Sequence, residues 1–221
     1  FFKQLIKNKK FYTFCTWDEL IKKKRSDKVF ILGSGYSLNK IKNSEWKYIS
    51  NHDVVGFNST IMQKWVRVDY HLIRGWAEGS NIYSNLEKIG KDLVSFVDNN
   101  KNYKETIFLL QNDFYGLISH ILLNKKILKK NSKIFSYYTL NSKFPKKHKK
   151  LNLLSHLSGT LSDVTHFTLN MGWKEVVLVG VDLYDTRYFY LEEDQTFSVD
   201  KVTGHKSVSK FTDHGKRFDD E

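Results

Sequence analysis

Short runs of apolar residues recur along the chain, and glycine or polar residues follow most of them. Runs of this kind, without a regular polar alternation, are typical of strands buried on both faces of a sheet. They predict strands at 28–32, 53–57, 68–73, 106–110, 133–137 and 175–181. The last of these runs carries the strongest strand pattern in the chain.

Helical segments separate the predicted strands. Thr16 is followed three residues later by Glu19, which is the spacing of a capping box at a helix start. A second helix is predicted at about 115–129, and a third at 159–171 that ends at Gly172. Strands that alternate with helices predict an α/β fold with a Rossmann-like, mostly parallel sheet flanked by helices. Ligands of such sheets bind beyond the carboxyl ends of the strands, so the residues after each strand are the candidates for chemistry.

Length and composition suit one globular domain. The chain has 221 residues, of which 40% are hydrophobic and 15% aromatic, and this excludes a disordered chain. Its one cysteine, Cys15, excludes a disulfide framework or a cysteine-based zinc site and favours a reducing compartment. We expect a basic extension at 1–28 and a single domain over 29–221. Since no membrane span or signal peptide is recognisable, we expect a cytoplasmic protein.

The net charge of +12 is concentrated in two segments. Residues 1–28 carry nine basic and three acidic side chains, and residues 114–162 carry ten lysines and no acidic side chain. The second segment lacks the arginines interleaved with aromatic residues that are typical of nucleic-acid grooves, so no nucleic-acid partner is expected. Two interpretations stay open: a solvated lysine-rich surface, and a surface attracted to anionic lipid headgroups or phosphorylated glycans.

A glycine-rich loop follows the first of these predicted strands. Gly33 and Gly35 allow the backbone to turn tightly and to approach a ligand, and N–H groups exposed in such a loop bind phosphate. Ser34 and Ser37 add hydroxyl groups to the same loop. The loop lacks the third glycine of the dinucleotide fingerprint and the Lys-Ser/Thr pair of a P-loop. A nucleotide cradle and a tight structural turn therefore both remain open.

Polar residues also follow later strands. Asn58, after the second strand, can bind a base or ribose, or can cap the next helix. Ser158, Gly159 and Thr160 open the late helix, where hydroxyl and N–H groups meet the positive helix end; ordinary capping by Ser158 is the alternative. Asp182 follows the strongest strand and is expected to reach the point where the strand order reverses.

The C-terminal part combines a long polar segment with candidate catalytic side chains. No regular structure is predicted over about 185–213, and a stretch of this length inside a domain is typical of a lid. Tyr188 and Tyr190 lie near its start, and His205 and His214 lie within and just after it. A histidine near neutral pKa can act as a general base, and an inert surface position is the alternative for each.

Taken together, these motifs resemble the bacterial lipooligosaccharide sialyltransferases of glycosyltransferase family 42 and their relatives among nonulosonate and Kdo transferases. The resemblance extends over about 29–75 and 155–221. It rests on the glycine-rich loop with its preceding strand, on the asparagine after the second strand, and on an ungapped block near the C-terminus. These are the segments 29–38, Asn58 and the block from Ser158-Gly159 through Gly172 to Asp182 and Tyr184.

The resemblance implies a role for each matched position. Tyr184 and Tyr188 would donate hydroxyl hydrogens to the departing phosphate, and His214, ahead of His205, would take the proton of the acceptor hydroxyl. Arg74 stands where the family carries an asparagine, and its charge suits a contact with a phosphate or a sugar carboxylate. The positions expected to bind the CMP-sugar are Gly33, Ser34, Gly35, Ser37, Asn58, Arg74, Ser158, Gly159, Thr160 and Asp182.

The activity implied by the resemblance is a metal-independent, inverting transfer of a sialic-acid-like or Kdo-like sugar. The sugar would move from a CMP-sugar donor to a hydroxyl of a cell-surface glycan, such as lipopolysaccharide, lipooligosaccharide or capsule, with no cofactor. Three alternatives on the same fold are a pterin pyrophosphokinase-like enzyme using Asp182 and a metal, a flagellin-glycosylation-related enzyme, and a non-catalytic module that binds a glycan or membrane surface. We expect the protein to act at the inner face of an anionic membrane. We also expect a native chain that continues beyond Glu221, and both a monomer and a homo-oligomer stay open.

Overall fold

Short strands alternate with helices in the part of the chain that the structure describes. This computed structural model describes residues 8–74, 95, 97, 99–112, 126, 128–141, 151–157, 159–183, 187–190, 197–199 and 206–208. The strands are β1 Thr13–Phe14, β2 Lys28–Leu32, β3 Asp53–Phe57, β4 Tyr70–Ile73, β5 Ile107–Gln111, β6 Lys133–Asn141, β7 Leu153–His156, β8 Glu175–Val179, β9 Phe197–Val199 and β10 Lys206–Val208. The α-helices are α1 Trp17–Lys23, α2 Asn43–Ser50 and α3 Thr160–Met171, and short 3₁₀ helices span Tyr36–Lys40, Asn58–Met62 and Lys101–Tyr103.

Strands β1 to β8 form one sheet in which every pairing among the described residues is parallel. The order is β1–β6–β5–β4–β3–β2–β8, and β7 pairs with the second half of β6. The chain moves outward from β2 to β6 on one side and then returns to place β8 on the other side of β2. The predicted α/β, Rossmann-like sheet is therefore confirmed, and its order reverses between β2 and β8.

Several element boundaries differ from the prediction. The strand predicted at 175–181 ends at Val179, because Gly180 turns the chain with a φ of +68°. Strands β1 and β7 were not predicted, since each is a short edge strand with polar residues that pairs with β6. Within the segment predicted to lack regular structure, β9 and β10 form an antiparallel pair. The helix predicted at about 115–129 falls almost wholly outside the described residues.

The two faces of the sheet carry separate cores. Successive side chains of a strand point to opposite faces, so Phe30 packs in one core with Trp46 of α2, and Ile31 packs in the other with Phe167 of α3. Both faces of β2 are buried, which explains its continuous apolar run. No helix within the described residues is long and apolar enough to cross a membrane.

The predicted helix signals are confirmed. Glu19 donates its N–H to Thr16 Oγ1 at 3.4 Å, and the Thr16 N–H donates to Glu19 Oε2 at 2.6 Å, which completes the capping box of α1. The predicted end of the late helix is also present: α3 ends at Met171, and Gly172 follows with a left-handed φ of +72°. Local sequence therefore determines where these two helices begin and end.

Two buried carboxylates fix the amino edge of the sheet. Asp53 accepts hydrogen bonds from the Arg25 and Ser26 N–H groups and from Trp173 Nε1, so it links the starts of β2, β3 and β8. Asp69 accepts from the Val54 N–H and from Arg25 Nη2, each at 3.0 Å. Because buried charges need such partners, these carboxylates hold neighbouring strand ends in register.

Asp69 gives the fold a pH dependence of defined sign. Burial raises the pKa of Asp69 to about 6, although the Arg25 guanidinium acts in the opposite direction. The unfolded carboxyl titrates near about 4, so between about pH 4 and 6 the native state binds more protons than the unfolded chain. We expect this group to lower the free energy of unfolding by about 3 kcal/mol as the pH rises through that window, measured by urea denaturation at closely spaced pH values.

Two aspartate-to-asparagine variants isolate this contribution. Asp69→Asn removes the titrating group, so its pH curve should lack the fall assigned to Asp69. Asp18→Asn, at an exposed position in the first turn of α1, should keep it. An Asp69→Asn curve parallel to that of the wild type would contradict the assignment.

Candidate functional site

Polar residues gather at the carboxyl edge of the sheet. The parallel arrangement brings together the residues that follow the strands, and a ligand crevice is expected where the strand order reverses. Next to that point lie the loop 33–37 after β2 and the turn 180–182 after β8. Further along the same edge lie Asn58 after β3, Arg74 after β4 and His156 at the end of β7.

The loop after β2 and the turn after β8 are locked together. The Gly33 N–H donates to the Val179 carbonyl at 2.7 Å, and the Gly35 N–H donates to the Gly180 carbonyl at 2.8 Å. A Cβ on Gly33 would lie 2.2 Å from the Gly180 carbonyl oxygen, and a Cβ on Gly35 would lie 2.4 Å from an Asp182 carboxylate oxygen. Both glycines are therefore required by close approach of two backbone segments.

Asp182 holds the start of the 3₁₀ helix Tyr36–Lys40. Its Oδ2 accepts from the Ser37 N–H at 2.8 Å, and its Oδ1 accepts from the Ser37 hydroxyl at 2.5 Å. Together with Gly33 and Gly35, Ser37 thus donates its N–H inside the protein. These contacts favour the structural-turn interpretation of the loop, while donor binding by its residues stays a prediction.

The segment 187–190 packs directly on this loop. The Tyr36 N–H donates to the Arg187 carbonyl at 3.1 Å, and the Phe189 N–H donates to the Ser34 carbonyl at 3.0 Å. Tyr188 forms an antiparallel bridge with Gly35, so the predicted catalytic tyrosine lies beside the glycine-rich loop. The other predicted catalytic residues, Tyr184 and His214, lie outside the described residues, as do His205 and most of the predicted lid.

Asn58 connects the end of β3 to the first residue of α3. It takes a left-handed φ of +48°, a conformation that asparagine tolerates better than most residues. Asn58 Nδ2 donates to the Thr160 hydroxyl at 3.0 Å, and Asn58 Oδ1 is buried without a hydrogen-bond partner among the described residues. Asn58 and the amino end of α3, which were predicted separately as donor-binding positions, are thus in direct contact next to Gly159 in the N-cap position. Ser158 lies outside the described residues.

A buried carboxylate joins Arg74 to His156. Asp163, in the first turn of α3, lies with its Oδ1 2.8 Å from His156 Nδ1 and its Oδ2 3.9 Å from Arg74 Nε. The Asp163 side chain is fully buried, and the Arg74 side chain is 22% exposed. Neither Asp163 nor His156 is among the site residues predicted from the sequence. An acidic residue one turn into a helix, on the face that packs against the sheet, was the available signal.

His71 lies beneath this edge in a wholly buried position on β4. Burial lowers its pKa to about 3, so its ring is neutral at physiological pH. The ring contacts Tyr103 edge-on, and a Cβ on Gly56 would lie 2.8 Å from His71 Nδ1. His71 is therefore a packing residue. The described residues contain no group of three or more His, Cys, Asp or Glu side chains placed to hold a metal ion.

Comparison with known proteins assigns no family to the chain. No protein-family model and no curated protein sequence matches it. Among solved structures, it is similar to the MAf glycosyltransferase from Magnetospirillum magneticum AMB-1, with a TM-score of 0.46 and 15% sequence identity. The similarity covers 86% of this chain but 30% of that chain, so the sequence corresponds to under a third of the other protein. The parallel sheet and its strand order follow from the strand pairings themselves.

A side chain added where the two glycine-containing loops touch is expected to clash with the backbone and destabilise the fold. Gly33→Ala places a Cβ against the Gly180 carbonyl group, which is backbone and cannot rotate away. We expect a loss of about 3 kcal/mol in the free energy of unfolding, measured by urea denaturation.

Gly159→Ala is the matched control. Its φ of 178° is ordinary extended backbone, and nothing lies within 4 Å of the added Cβ. This variant should lose well under half as much stability as Gly33→Ala, with the residual loss due to a poorer helix cap. Equal losses in the two variants would contradict the steric explanation.

Proposed function

We propose that this protein is an inverting glycosyltransferase that uses a CMP-sugar donor. The donor sugar is sialic-acid-like or Kdo-like, and the acceptor is a hydroxyl of a cell-surface glycan. The observation that carries the proposal is the contact of Asn58 with Thr160 at the amino terminus of α3, with Arg74 on the neighbouring strand end. The motif resemblance supports the choice of a CMP-sugar, and the donor class rests on that resemblance.

The chemistry of this region suits a nucleotide phosphate. The first N–H groups of an α-helix lack partners within the helix, and the helix dipole makes that end positive. Helix α3 begins at Thr160, whose hydroxyl already faces the Asn58 amide. Arg74 adds a positive charge one strand further along the same edge. A phosphate placed at this helix end would meet donors and positive charge, with the Asn58 amide close enough to contact the attached nucleoside.

The proposed reaction is a single displacement at the anomeric carbon. The acceptor oxygen bonds to this carbon as its proton passes to a base, and the bond to the phosphate oxygen breaks with its electron pair leaving on CMP. Fixed hydrogen-bond donors stabilise the charge on the departing phosphate and allow the transfer to proceed without a metal. We assign Tyr188 to this role with Tyr184, and the resemblance assigns the base to His214.

CMP binding is the direct test of this proposal. Wild-type protein should bind CMP with a measurable heat by calorimetry, and CMP should raise its melting temperature. Asn58→Asp tolerates the left-handed backbone but replaces an amide donor with a negative charge, so we expect at least a tenfold loss of CMP affinity. Asn51→Asp adds the same charge at an exposed position after α2, and should leave the affinity within about twofold.

The outcomes of this test separate the candidate functions. A wild-type protein that binds no CMP would overturn the proposal. CMP binding with sugar transfer that persists in EDTA would exclude a metal-dependent pyrophosphokinase that uses Asp182. CMP binding without transfer or hydrolysis of any CMP-sugar would favour the non-catalytic module.

The proposed acceptor is lipid-linked, and the lysine distribution supports this choice. The two basic segments of the sequence meet where β1 pairs with the start of β6: the Asn131 N–H donates to the Phe11 carbonyl, and Lys126 Nζ lies 5.3 Å from the Phe11 ring centroid. The exposed lysines of this amino-edge surface are Lys9, Lys10, Lys126, Lys129 and Lys130. Because this surface lies at the amino edge, binding to an anionic membrane would leave the carboxyl edge open to substrates.

Charge reversal tests the membrane proposal. The protein should co-sediment with phosphatidylcholine vesicles that contain phosphatidylglycerol, and not with pure phosphatidylcholine vesicles. Lys129→Glu/Lys130→Glu should weaken this binding by at least tenfold, because each lysine near an anionic surface contributes about 1 kcal/mol. Lys42→Glu/Lys47→Glu carries the same charge change beside α2 and should have a smaller effect. Equal losses in both double variants would show a net-charge effect only.

A further inference from the structure

His156 and Asp163 form a histidine–carboxylate pair at the carboxyl edge. His156 ends β7, Asp163 lies in the first turn of α3, and their closest atoms, Nδ1 and Oδ1, are 2.8 Å apart. Asp163 is fully buried, whereas the His156 side chain is 13% exposed. The pair therefore has one member fixed inside the protein and one that reaches the surface of the candidate site.

The contact with an ionised Asp163 selects one tautomer of His156. A carboxylate oxygen only accepts hydrogen bonds, so Nδ1 must carry a proton to bond with Asp163. In the neutral ring, Nε2 then holds the lone pair. Nε2 makes no hydrogen bond within the described residues and is not among the buried polar atoms that lack a partner. It is therefore the ring nitrogen placed to accept a proton from outside.

The surroundings of the pair suit proton transfer. Arg74 Nε lies 3.9 Å from the second oxygen of Asp163, so a positive charge stands on the far side of the carboxylate. A buried carboxylate beside Nδ1 in turn stabilises the imidazolium that forms when Nε2 takes a proton. Among the described residues, the charged groups in contact with this pair are the anion on α3 and, beyond it, the cation after β4.

The other described histidines lack this arrangement. His166 Nδ1 accepts a hydrogen bond from the Ser155 N–H inside the protein. His71 is wholly buried. His52 Nδ1 lies 3.0 Å from the Tyr48 carbonyl, at the amino edge of the sheet. Within the described part of the chain, His156 alone places a ring nitrogen at the carboxyl edge with a carboxylate behind it.

We propose that His156, held by Asp163, is the general base of the transfer reaction. This inference rests on the proposed function and replaces His214 in the role that the sequence resemblance assigned. His156 Nε2 takes the proton of the acceptor hydroxyl while the hydroxyl oxygen bonds to the anomeric carbon. The carbon–oxygen bond to the phosphate breaks, and CMP leaves with the electron pair. Asp163 stays ionised and balances the positive imidazolium.

Kinetics of matched variants test the role of His156. CMP release would be followed with CMP-N-acetylneuraminic acid and CMP-Kdo as donors and deacylated lipooligosaccharide as acceptor. His156→Gln should lower kcat by about 10²- to 10⁴-fold, which is the usual contribution of a general base, with CMP affinity within about twofold. His52→Gln, at the amino edge, should keep kcat within about threefold, and His214→Ala is measured beside it to compare the two candidate bases.

Asp163→Asn gives a readout that a purely structural role would not change. Without the carboxylate, nothing fixes the proton on Nδ1 or balances the imidazolium, so kcat should fall while the KM for the donor stays within about twofold. In the wild type, two-bond ¹H–¹⁵N correlation spectra should show His156 with the proton on Nδ1, and this measurement depends on neither activity nor a variant fold.

Each result supports or overturns the assignment. Full activity in His156→Gln, or a proton on Nε2 of the neutral ring, overturns the base role and leaves the proposed function intact. Loss of activity in His214→Ala but not in His156→Gln gives the role to His214. A wild-type protein without CMP binding overturns the proposed function, and the base role with it.

Discussion

The fit between two glycine-containing turns is the constraint on which this fold depends. β8 can lie beside β2 only if the loops that leave both strands also pack together, and Gly33 and Gly35 leave no room for a side chain there. Gly180 completes the contact from the other side, since its φ of +68° is left-handed and a Cβ would lie 2.6 Å from Leu38 side-chain carbons. Three glycines thus make the close approach possible at the point where the strand order reverses and the crevice of the sheet lies.

The amino edge is held by a different kind of interaction. There, Asp53 and Asp69 are buried, and they accept hydrogen bonds from Arg25, from backbone N–H groups and from the Trp173 indole. The two edges have opposite requirements. At the carboxyl edge the glycine-containing turns leave no room for a side chain, whereas at the amino edge each buried carboxylate needs hydrogen-bond partners. Because both edges are fixed, the polar residues that end β3, β4 and β7 keep defined relative positions even though they come from distant parts of the sequence.

Local signals were sufficient to predict most of the fold. The Thr16–Glu19 spacing and the run at 28–32 each depend on neighbouring residues in the sequence, and the helix and strand they predicted are present. β7 could not be predicted in this way, because Leu153–His156 contains two polar residues and becomes a strand by pairing with the second half of β6. The candidate site shows the same division. Asn58 and Thr160 were predicted as separate site residues. The contact of Asp163 with His156 depends on how α3 packs beside the end of β7, and a hydrophobic pattern along the sequence does not predict such packing.

The first turn of α3 is where donor binding and proton transfer would meet. Thr160 contacts Asn58 after β3, and Asp163, three residues later on the same face, lies against both His156 and Arg74. The positive helix end stabilises a carboxylate at this position, but the carboxylate would repel a phosphate. Its complete burial behind His156 and Arg74 reduces that conflict, because these two partners of the carboxylate are the groups nearer the surface. One helical turn can therefore orient a base and also present its positive end to an anionic donor, and any shift of this turn would change both functions together.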